Sequence, residues 1–353
     1  MKNLILTFGS LLLTLPAYAE VWNLQSPKIA FDYSSGYHHV AYEPLERAKQ
    51  NWSICVAFPH LKDAYWLSVN YGMVQEARRL GVSFQLVEAG GYPNIERQID
   101  QITSCVNDDT DALVLGAVSF DGLTETMTTL SSRLPIIAAV NDIADEGITA
   151  KVGVSWREMG LLTGQTLAKR HPLGSAPVQV AWFPGPEAAG WVKFVEQGFL
   201  EGIQQSAVSV VATRYGDTGR EIQVRLVEEV LDQDLDIDYI VGSAPTAEAA
   251  VSVLRARGLQ DDIQILSDYV THAVFRGLHR GRIVAAPTDF PVLQGKLAIE
   301  TAVRAIEGSV LNKHIGPITV MLNASEDFSQ HVSQTLAPAN FVPVFSFKGS
   351  SLE

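Results

Sequence analysis

The sequence has 353 residues, which is enough for two domains that each bury a core. Hydrophobic residues make up 47% of the chain and charged residues 18%, an ordinary globular composition that excludes extensive disorder. The formal net charge of −13 at pH 7 argues against nucleic acid as a partner, because phosphates require a basic surface. Small cations and zwitterions remain compatible with this charge.

The N-terminus has the pattern of a secretory signal peptide. A short charged start is followed by an apolar run from Leu4 to Leu15 and by an Ala-x-Ala cleavage site directly before Glu20. This run is too short for a stable membrane span, and no other stretch reaches about 18 uninterrupted apolar residues. We therefore predict a signal peptide over 1–19 and an exported, periplasmic mature chain without direct membrane insertion.

Residues 20–50 precede the first predicted strand and fit no βαβ unit, so we predict an N-terminal extension. Its aromatic and histidine side chains are Tyr33, Tyr37, His38, His39 and Tyr42. Two roles remain open for this segment. It is either a strap over exposed hydrophobic surface or part of a surface that docks a protein partner.

From Trp52 onward, short β-branched runs alternate with longer segments of helical periodicity. The predicted strands are 54–58, 82–87, 112–117, 136–140, 150–154, 178–183, 208–213, 237–241, 263–266, 282–286, 318–322 and 341–347. The predicted helices are 65–80, 94–106, 157–169, 192–205, 220–232 and 247–257. Strands separated by helices indicate right-handed βαβ units and mostly parallel sheets.

The number of predicted strands exceeds what one sheet of the usual size needs, so we divide the chain into two lobes. Crossings between the lobes are expected near Asn141, near Thr288 to Pro291 and near Gly316 to Ile318. The predicted divisions are 51–141 plus 290–316 for lobe 1, 142–289 plus 317–347 for lobe 2, and 348–353 for a tail.

The loop after the first strand is the strongest candidate for a binding site. Asp63, Tyr65 and Trp66 stand where a strand passes into a helix, and open α/β sheets bind ligands at the carboxyl ends of their strands. Two neighbouring aromatic rings beside a carboxylate suit a small cationic or sugar-like ligand. Alternatively, the rings pack the helix against the sheet and Asp63 caps the helix.

Three further tryptophans are candidates at the cleft. Trp156 opens a predicted helix near the expected hinge, a position at which a tryptophan has no common structural role. Trp182 and Trp191 flank a strand-to-helix loop in the second lobe and are secondary candidates. For Trp191 the alternative is that its ring covers the end of a helix.

The two cysteines, Cys55 and Cys105, can pair in an oxidising compartment. Cys55 lies early on the first strand and Cys105 at the end of the second helix, and these two ends meet at the base of a parallel sheet. We predict a disulfide between them. The alternative is two buried thiols, since cysteine packs like a small hydrophobic residue.

Several patterns point to no chemistry. The acidic run 232–238 begins like a calcium loop, but Ile237 stands where glycine is required and Ser243 where the bidentate glutamate belongs. The histidines lack the spacing of metal ligands, and no phosphate-binding glycine loop or nucleophile elbow occurs. We predict no metal, no cofactor and no enzymatic activity.

The chain resembles the periplasmic binding proteins of the ribose-binding type. The resemblance covers nearly the whole mature chain and is carried by the segments 59–66, 76–82, 112–116 and 152–154. Within that family, segments 69–73, 88–92 and 154–160 resemble members that bind trimethylamine N-oxide (TMAO) and act with a membrane histidine kinase. The resemblance to this family implies an α/β, two-lobed type I fold. Each lobe is then a doubly wound, mostly parallel sheet, and three crossovers join the lobes.

The resemblance also implies a ligand site and a partner. Sugar binders of the family carry asparagine and two phenylalanines in the first loop, where this chain has Asp63, Tyr65 and Trp66. A trimethylammonium group has no N–H to donate, so aromatic faces must hold it, while an N-oxide oxygen needs donors. The implied ligand is TMAO and the implied partner is the periplasmic sensor domain of a membrane histidine kinase.

Three more site residues follow from this resemblance. Tyr269 lies in the loop where the family keeps an aspartate for its ligand, and Asp289 lies at the second crossover, where sugar binders place a polar contact. For Asp289 the alternative is a salt bridge or a turn cap. Tyr71 is included, with a core position as its alternative. A solute-binding subunit of an ABC importer, for a sugar or a quaternary amine, is the alternative function.

Overall fold

The computed structural model describes residues 21–349, so the predicted signal peptide and the end of the predicted tail lie outside the described residues. The strands are β1 (Trp22–Ile29), β2 (Asp32–Tyr42), β3 (Ser53–Phe58), β4 (Ser83–Glu88), β5 (Ala112–Leu115), β6 (Ile136–Ala139), β7 (Ala150–Val152), β8 (Val178–Gly185), β9 (Val208–Tyr215), β10 (Tyr239–Gly242), β11 (Gln264–Ser267), β12 (Ala285–Thr288), β13 (His314–Pro317), β14 (Val320–Asn323) and β15 (Ser346–Phe347). The helices are α1 (Ala64–Leu80), α2 (Ile95–Cys105), α3 (Thr124–Leu130), α4 (Trp156–Arg170), α5 (Gly190–Ile203), α6 (Arg220–Leu231), α7 (Ala244–Arg257), α8 (His272–His279), α9 (Pro291–Ile306) and α10 (Val332–Thr335).

These strands form two sheets. The first has the order β15-β4-β3-β5-β6-β7-β13-β1-β2, and the second has the order β14-β12-β11-β10-β8-β9. Pairings are parallel from β4 through β13 in the first sheet and from β12 through β9 in the second, with antiparallel strands added at the edges. The predicted α/β architecture of two mostly parallel sheets is confirmed.

Close helix packing fixes the position of α1, which carries the predicted ligand loop at its start. A Cβ on Gly72 would lie 2.0 Å from the carbonyl oxygen of Val292, so only glycine permits this approach of α1 to α9. Gly295 of α9 makes the reciprocal contact, because a Cβ on it would lie 2.1 Å from the carbonyl oxygen of Val69. The middle of α1 is therefore packed directly against α9.

The strand pairing differs from two predicted lobe boundaries. Residues 142–289 were assigned to the second lobe, yet β7 pairs with β6 and β13 in the first sheet. The chain enters the second sheet only at β8, which follows α4. Residues 317–347 also divide, because β14 joins the second sheet whereas β15 pairs with β4 in the first.

The N-terminal segment is a β-hairpin that extends the first sheet. Strand β1 pairs antiparallel with β13, and β2 pairs with β1. Trp22 and Tyr42 stack with their ring centroids 5.8 Å apart, and both side chains are buried together with Leu24. The predicted extension is thus an integral part of the lobe that it joins.

The predicted disulfide is confirmed. Cys55 on β3 and Cys105 at the end of α2 are bonded, with their Cα atoms 5.9 Å apart. The bond ties α2 to the sheet on the side away from the carboxyl ends of the strands. Among residues 21–349, no helix is long and apolar enough to cross a membrane.

Candidate functional site

A small cavity lies between the lobes, at the carboxyl ends of the strands of both sheets. Its volume is about 10 Å³, and it is lined by Asp63, Tyr65, Trp66, Tyr92, Asn141, Trp156, Trp191, Thr218 and Tyr269. This space holds roughly one water molecule, so a larger ligand requires the aromatic rings to separate.

Asp63 joins the start of α1 to the opposite lobe. Its Oδ1 accepts a hydrogen bond from the backbone N–H of Tyr65 at 2.9 Å and caps the helix. Its Oδ2 accepts a hydrogen bond from the Tyr269 hydroxyl at 2.6 Å, across the cleft. The capping role and a place in the cavity therefore coexist in one carboxylate.

Asp289 accepts a hydrogen bond from the second tyrosine, Tyr65. The Tyr65 hydroxyl donates to Asp289 Oδ2 at 2.6 Å, and Gln294 Nε2 donates to the same oxygen at 2.6 Å. Asp289 itself lies behind Tyr65 and does not line the cavity. Each of the two tyrosine hydroxyls thus donates a hydrogen bond to a buried carboxylate.

Burial controls the charge of these carboxylates. It raises the pKa of Asp63 to about 6, although hydrogen bonds from Tyr269 and from the backbone of Tyr65 lower it. It likewise raises the pKa of Asp289 to about 6, against hydrogen bonds from Tyr65 and Gln294. Both groups are ionised at pH 7.5, so negative charge backs the phenol side of the cavity.

The aromatic rings stand at steep angles to one another. Tyr65 meets Tyr269 edge-on at 5.4 Å between centroids, and Trp156 meets Tyr269 at 6.2 Å and 90°. Trp191 is 5.0 Å from Trp156 and 6.1 Å from Tyr269. These four rings thus line one cavity at different angles, and aromatic faces are the groups that bind a methylated ammonium ion.

Five of the predicted residues come together at the cavity, namely Asp63, Tyr65, Trp66, Trp156 and Tyr269. The secondary candidate Trp191 also lines it.

Two candidates lie elsewhere. The Tyr71 hydroxyl accepts from Gln75 Nε2 at 2.6 Å and its ring contacts Phe341 at 5.1 Å, because its face of α1 turns toward the C-terminal segment. Trp182 stacks on Phe199 at 4.2 Å in the core of the second lobe.

Three residues that line the cavity are not among the predicted site residues. Tyr92 follows β4 after a Gly-Gly turn, Asn141 follows β6, and Thr218 follows β9. Each stands just beyond the carboxyl end of a strand, and that position is the signal that could have found them. Among the described residues, no group of three or more metal-ligating side chains occurs.

A profile described as "Periplasmic binding protein domain" matches residues 54–309. The periplasmic protein TorT of Escherichia coli K12 is 37% identical over 314 residues, which cover 88% of this chain and 89% of TorT. The D-ribose/D-allose-binding protein of Pseudomonas aeruginosa is 22% identical and covers 72% of this chain and 82% of the relative.

Two solved structures whose sequences are 43% and 38% identical to this chain share its fold. An ABC transporter solute-binding protein from Bradyrhizobium sp. BTAi1, with bound bis-tris, is 43% identical with a TM-score of 0.78, over 92% of this chain and 98% of that one. TorT in complex with the TorS sensor domain, in the presence of TMAO, is 38% identical with a TM-score of 0.77, over 84% of this chain and 100% of the matched chain.

Proposed function

Because the chain belongs to the periplasmic binding protein family, we propose that it is a sensor component that binds TMAO between its lobes. The observation that carries this proposal is the cavity of perpendicular aromatic rings backed by the carboxylates of Asp63 and Asp289. The protein is periplasmic, and its function is binding rather than catalysis.

The chemistry of the cavity favours a methylated amine over a sugar. A trimethylammonium group is weakly hydrated and offers no N–H donor, so its attraction comes from ring faces and from nearby negative charge. A sugar needs several free donors and acceptors around its hydroxyls. Here both oxygens of the lining carboxylate, Asp63, already accept hydrogen bonds, from the backbone N–H of Tyr65 and from the Tyr269 hydroxyl, and Asp289 does not line the cavity.

We further propose that the liganded protein regulates the periplasmic sensor domain of a TorS-like membrane histidine kinase. The support is the 37% identity to TorT over 88% of the chain, together with the structure in which TorT is bound to the TorS sensor domain. Closure on a ligand changes the relative position of two lobes, and a partner that contacts both can respond to that change.

Calorimetric titration of the mature protein with TMAO, glycine betaine, choline and ribose tests the ligand. TMAO should bind and ribose should give no heat, while the opposite pattern would refute the proposal. Trp156→Leu should weaken TMAO binding about 2- to 30-fold, the value of a lost cation–π face. Trp52→Leu is the matched control, because Trp52 pairs with Glu307 away from the cavity.

A second candidate is the solute-binding subunit of an ABC importer for a sugar or quaternary amine. The observation that favours it is the 43% identity to a transporter solute-binding protein whose ligand, bis-tris, is a hydroxylated tertiary amine. Size-exclusion chromatography with a TorS-like sensor domain separates the two functions. Co-elution, with or without TMAO, supports the sensor, and separate elution under all ligand conditions supports the importer.

A further inference from the structure

One corner of the cavity holds hydrogen-bond donors that have no acceptor. The side chain of Trp191 is 2% exposed, and its indole Nε1 has no hydrogen-bond partner among the described residues. Trp156 differs, because its indole donates to the carbonyl oxygen of Val140 at 2.9 Å. A buried N–H without an acceptor costs free energy, and one that lines a binding cavity is suited to receive a ligand oxygen.

Tyr92 supplies a second donor in the same corner. Asn141 Nδ2 donates to the carbonyl oxygen of Ala117 at 2.7 Å, and a carbonyl can only accept, so this contact fixes which side of the amide carries nitrogen. The same Nδ2 lies 3.1 Å from the Tyr92 hydroxyl. The phenol oxygen is therefore an acceptor from Asn141, and its own proton is left for another partner.

The surroundings of Tyr92 agree with this assignment. Burial raises the pKa of its hydroxyl, and the hydrogen bond from Asn141 partly offsets that rise. The Trp191 and Tyr92 rings are 6.3 Å apart at 61°. N–H and O–H donors thus converge on one corner, where a negatively charged oxygen would be stabilised.

Two other lining tyrosines have the reverse polarity. The hydroxyls of Tyr65 and Tyr269 donate to Asp289 and Asp63, so neither phenol donates toward the cavity. The carboxylates behind these tyrosines attract positive charge, whereas Trp191 and Tyr92 offer donors to a negatively charged oxygen. A zwitterion with one methylated nitrogen and one oxygen fits this arrangement in a single orientation.

We propose that the Trp191 indole N–H and the Tyr92 hydroxyl receive the ligand oxygen and select an N-oxide over a fully methylated ammonium ion. This inference rests on the proposed function, because it assigns the polar contacts of the same site. Tetramethylammonium is the diagnostic probe, since it replaces the oxygen of TMAO by a methyl group at nearly the same size. The donors should distinguish these two ligands while the ring faces should not.

Titrations of wild type, Tyr92→Phe and Trp191→Phe with TMAO and with tetramethylammonium test the inference. Wild type should bind TMAO more tightly than tetramethylammonium. Each variant should lose about tenfold or more in TMAO affinity, the value of a hydrogen bond to a charged group. Tyr92→Phe should leave tetramethylammonium binding unchanged or improved, because a methyl group needs no donor.

Matched controls remove the same groups away from the cavity. Tyr71→Phe deletes a phenol hydroxyl that pairs with Gln75, and Trp182→Phe deletes a buried indole N–H in the second lobe. Both should keep the wild-type preference for TMAO. The inference is overturned if Tyr92→Phe and Trp191→Phe keep that preference, or lose affinity for both ligands equally. Failure of wild type to bind TMAO would instead overturn the proposed function itself.

Discussion

At the scale of single residues, the site is organised by two carboxylates that are buried behind tyrosines. Asp63 and Asp289 each accept a phenol proton at 2.6 Å, and burial raises the pKa of each to about 6 from an ordinary value of 3.8. A pKa raised on folding means that the folded state holds the proton more tightly than the unfolded chain. Stability from these groups is fully present below about pH 4 and is lost as the pH rises through about 6.

The first prediction follows from this sign. Asp289→Asn removes one of the titrating groups, so the gain in unfolding free energy relative to wild type should be larger at pH 7.5 than at pH 4. The expected difference is on the order of 1 to 3 kcal/mol for a pKa raised from 3.8 to about 6. Urea denaturation of both proteins between pH 4 and 8 measures it. Asp121→Asn, at an exposed carboxylate, is the control, and parallel curves for wild type and Asp289→Asn would contradict the prediction.

Residue positions at strand ends were readable from the sequence, but contacts across the cleft were not. Asp63, Tyr65 and Trp66 follow one strand directly, so local pattern placed them in the cavity. Tyr92 and Asn141 follow other strands, and their pairing depends on how those strands are ordered in the sheet. Helical spacing alone also does not show that the C-terminal segment, through Phe341, covers the face of α1 that bears Tyr71.

At the scale of elements, the βαβ units were predictable because their strands are short, apolar and separated by amphipathic helices. Hairpin β1–β2 was not, since its pattern of exposed and half-buried residues lacks clear alternation. Strand β13 was not either, since Gly316 and Pro317 make up half of its four residues and both types are depleted in strands. Assignment of β7 to the first sheet depends on its pairings with β6 and with β13, and β13 is more than 150 residues away.

The disulfide provides the second prediction. Replacing Cys55 and Cys105 together by alanine should lower the free energy of unfolding by about 2 to 4 kcal/mol, because the cross-link closes a loop between residues 50 positions apart. TMAO affinity should stay unchanged, since the bond lies away from the cavity. Denaturant titration and calorimetry measure the two effects. Reduced wild type should behave like the variant, and a parallel loss of affinity would count against this separation of roles.

The hairpin provides the third prediction. Deleting residues 21–45 should strongly destabilise the first lobe, because it exposes the edge of β13 and removes the buried side chains of Trp22, Leu24 and Tyr42, each worth about 1.5 to 3 kcal/mol. The midpoint of thermal unfolding measures this loss. An unchanged midpoint would show that the hairpin is not part of the lobe.

The same hairpin allows its second predicted role, partner docking, to be tested without unfolding the lobe. His38 and His39 are exposed on β2, so replacing both by serine should leave the unfolding midpoint intact. Loss of association with a TorS-like sensor domain in that variant would favour docking. Unaltered association would favour a purely structural hairpin.

At the scale of the whole molecule, two hydrogen bonds hold the lobes together beside the cavity. Tyr269 donates to Asp63 at 2.6 Å, and His60 Nε2 lies 2.8 Å from Thr218 Oγ1. Burial lowers the pKa of His60 to about 4, so this second contact is made by a neutral imidazole at pH 7.5. The cavity of about 10 Å³ holds roughly one water molecule, so we expect these contacts to open when a ligand of the size of TMAO enters.

The last prediction compares two tyrosines that differ in one respect. Tyr65→Phe and Tyr269→Phe each remove a phenol hydroxyl that donates to a buried carboxylate at 2.6 Å. The bond from Tyr269 reaches Asp63 across the cleft, whereas Asp289 lies at the crossover between β12 and α9 and is also bonded to Gln294. The crossing bond is made only in the closed form, so its loss should favour the open form of the ligand-free protein. A ligand shifts the population back toward the closed form by its higher affinity for that form. Small-angle scattering should show a larger radius of gyration for ligand-free Tyr269→Phe than for Tyr65→Phe, and saturating TMAO should reduce that difference. Equal radii for the two variants would mean that the lobes are held by the ring contacts and not by this hydrogen bond.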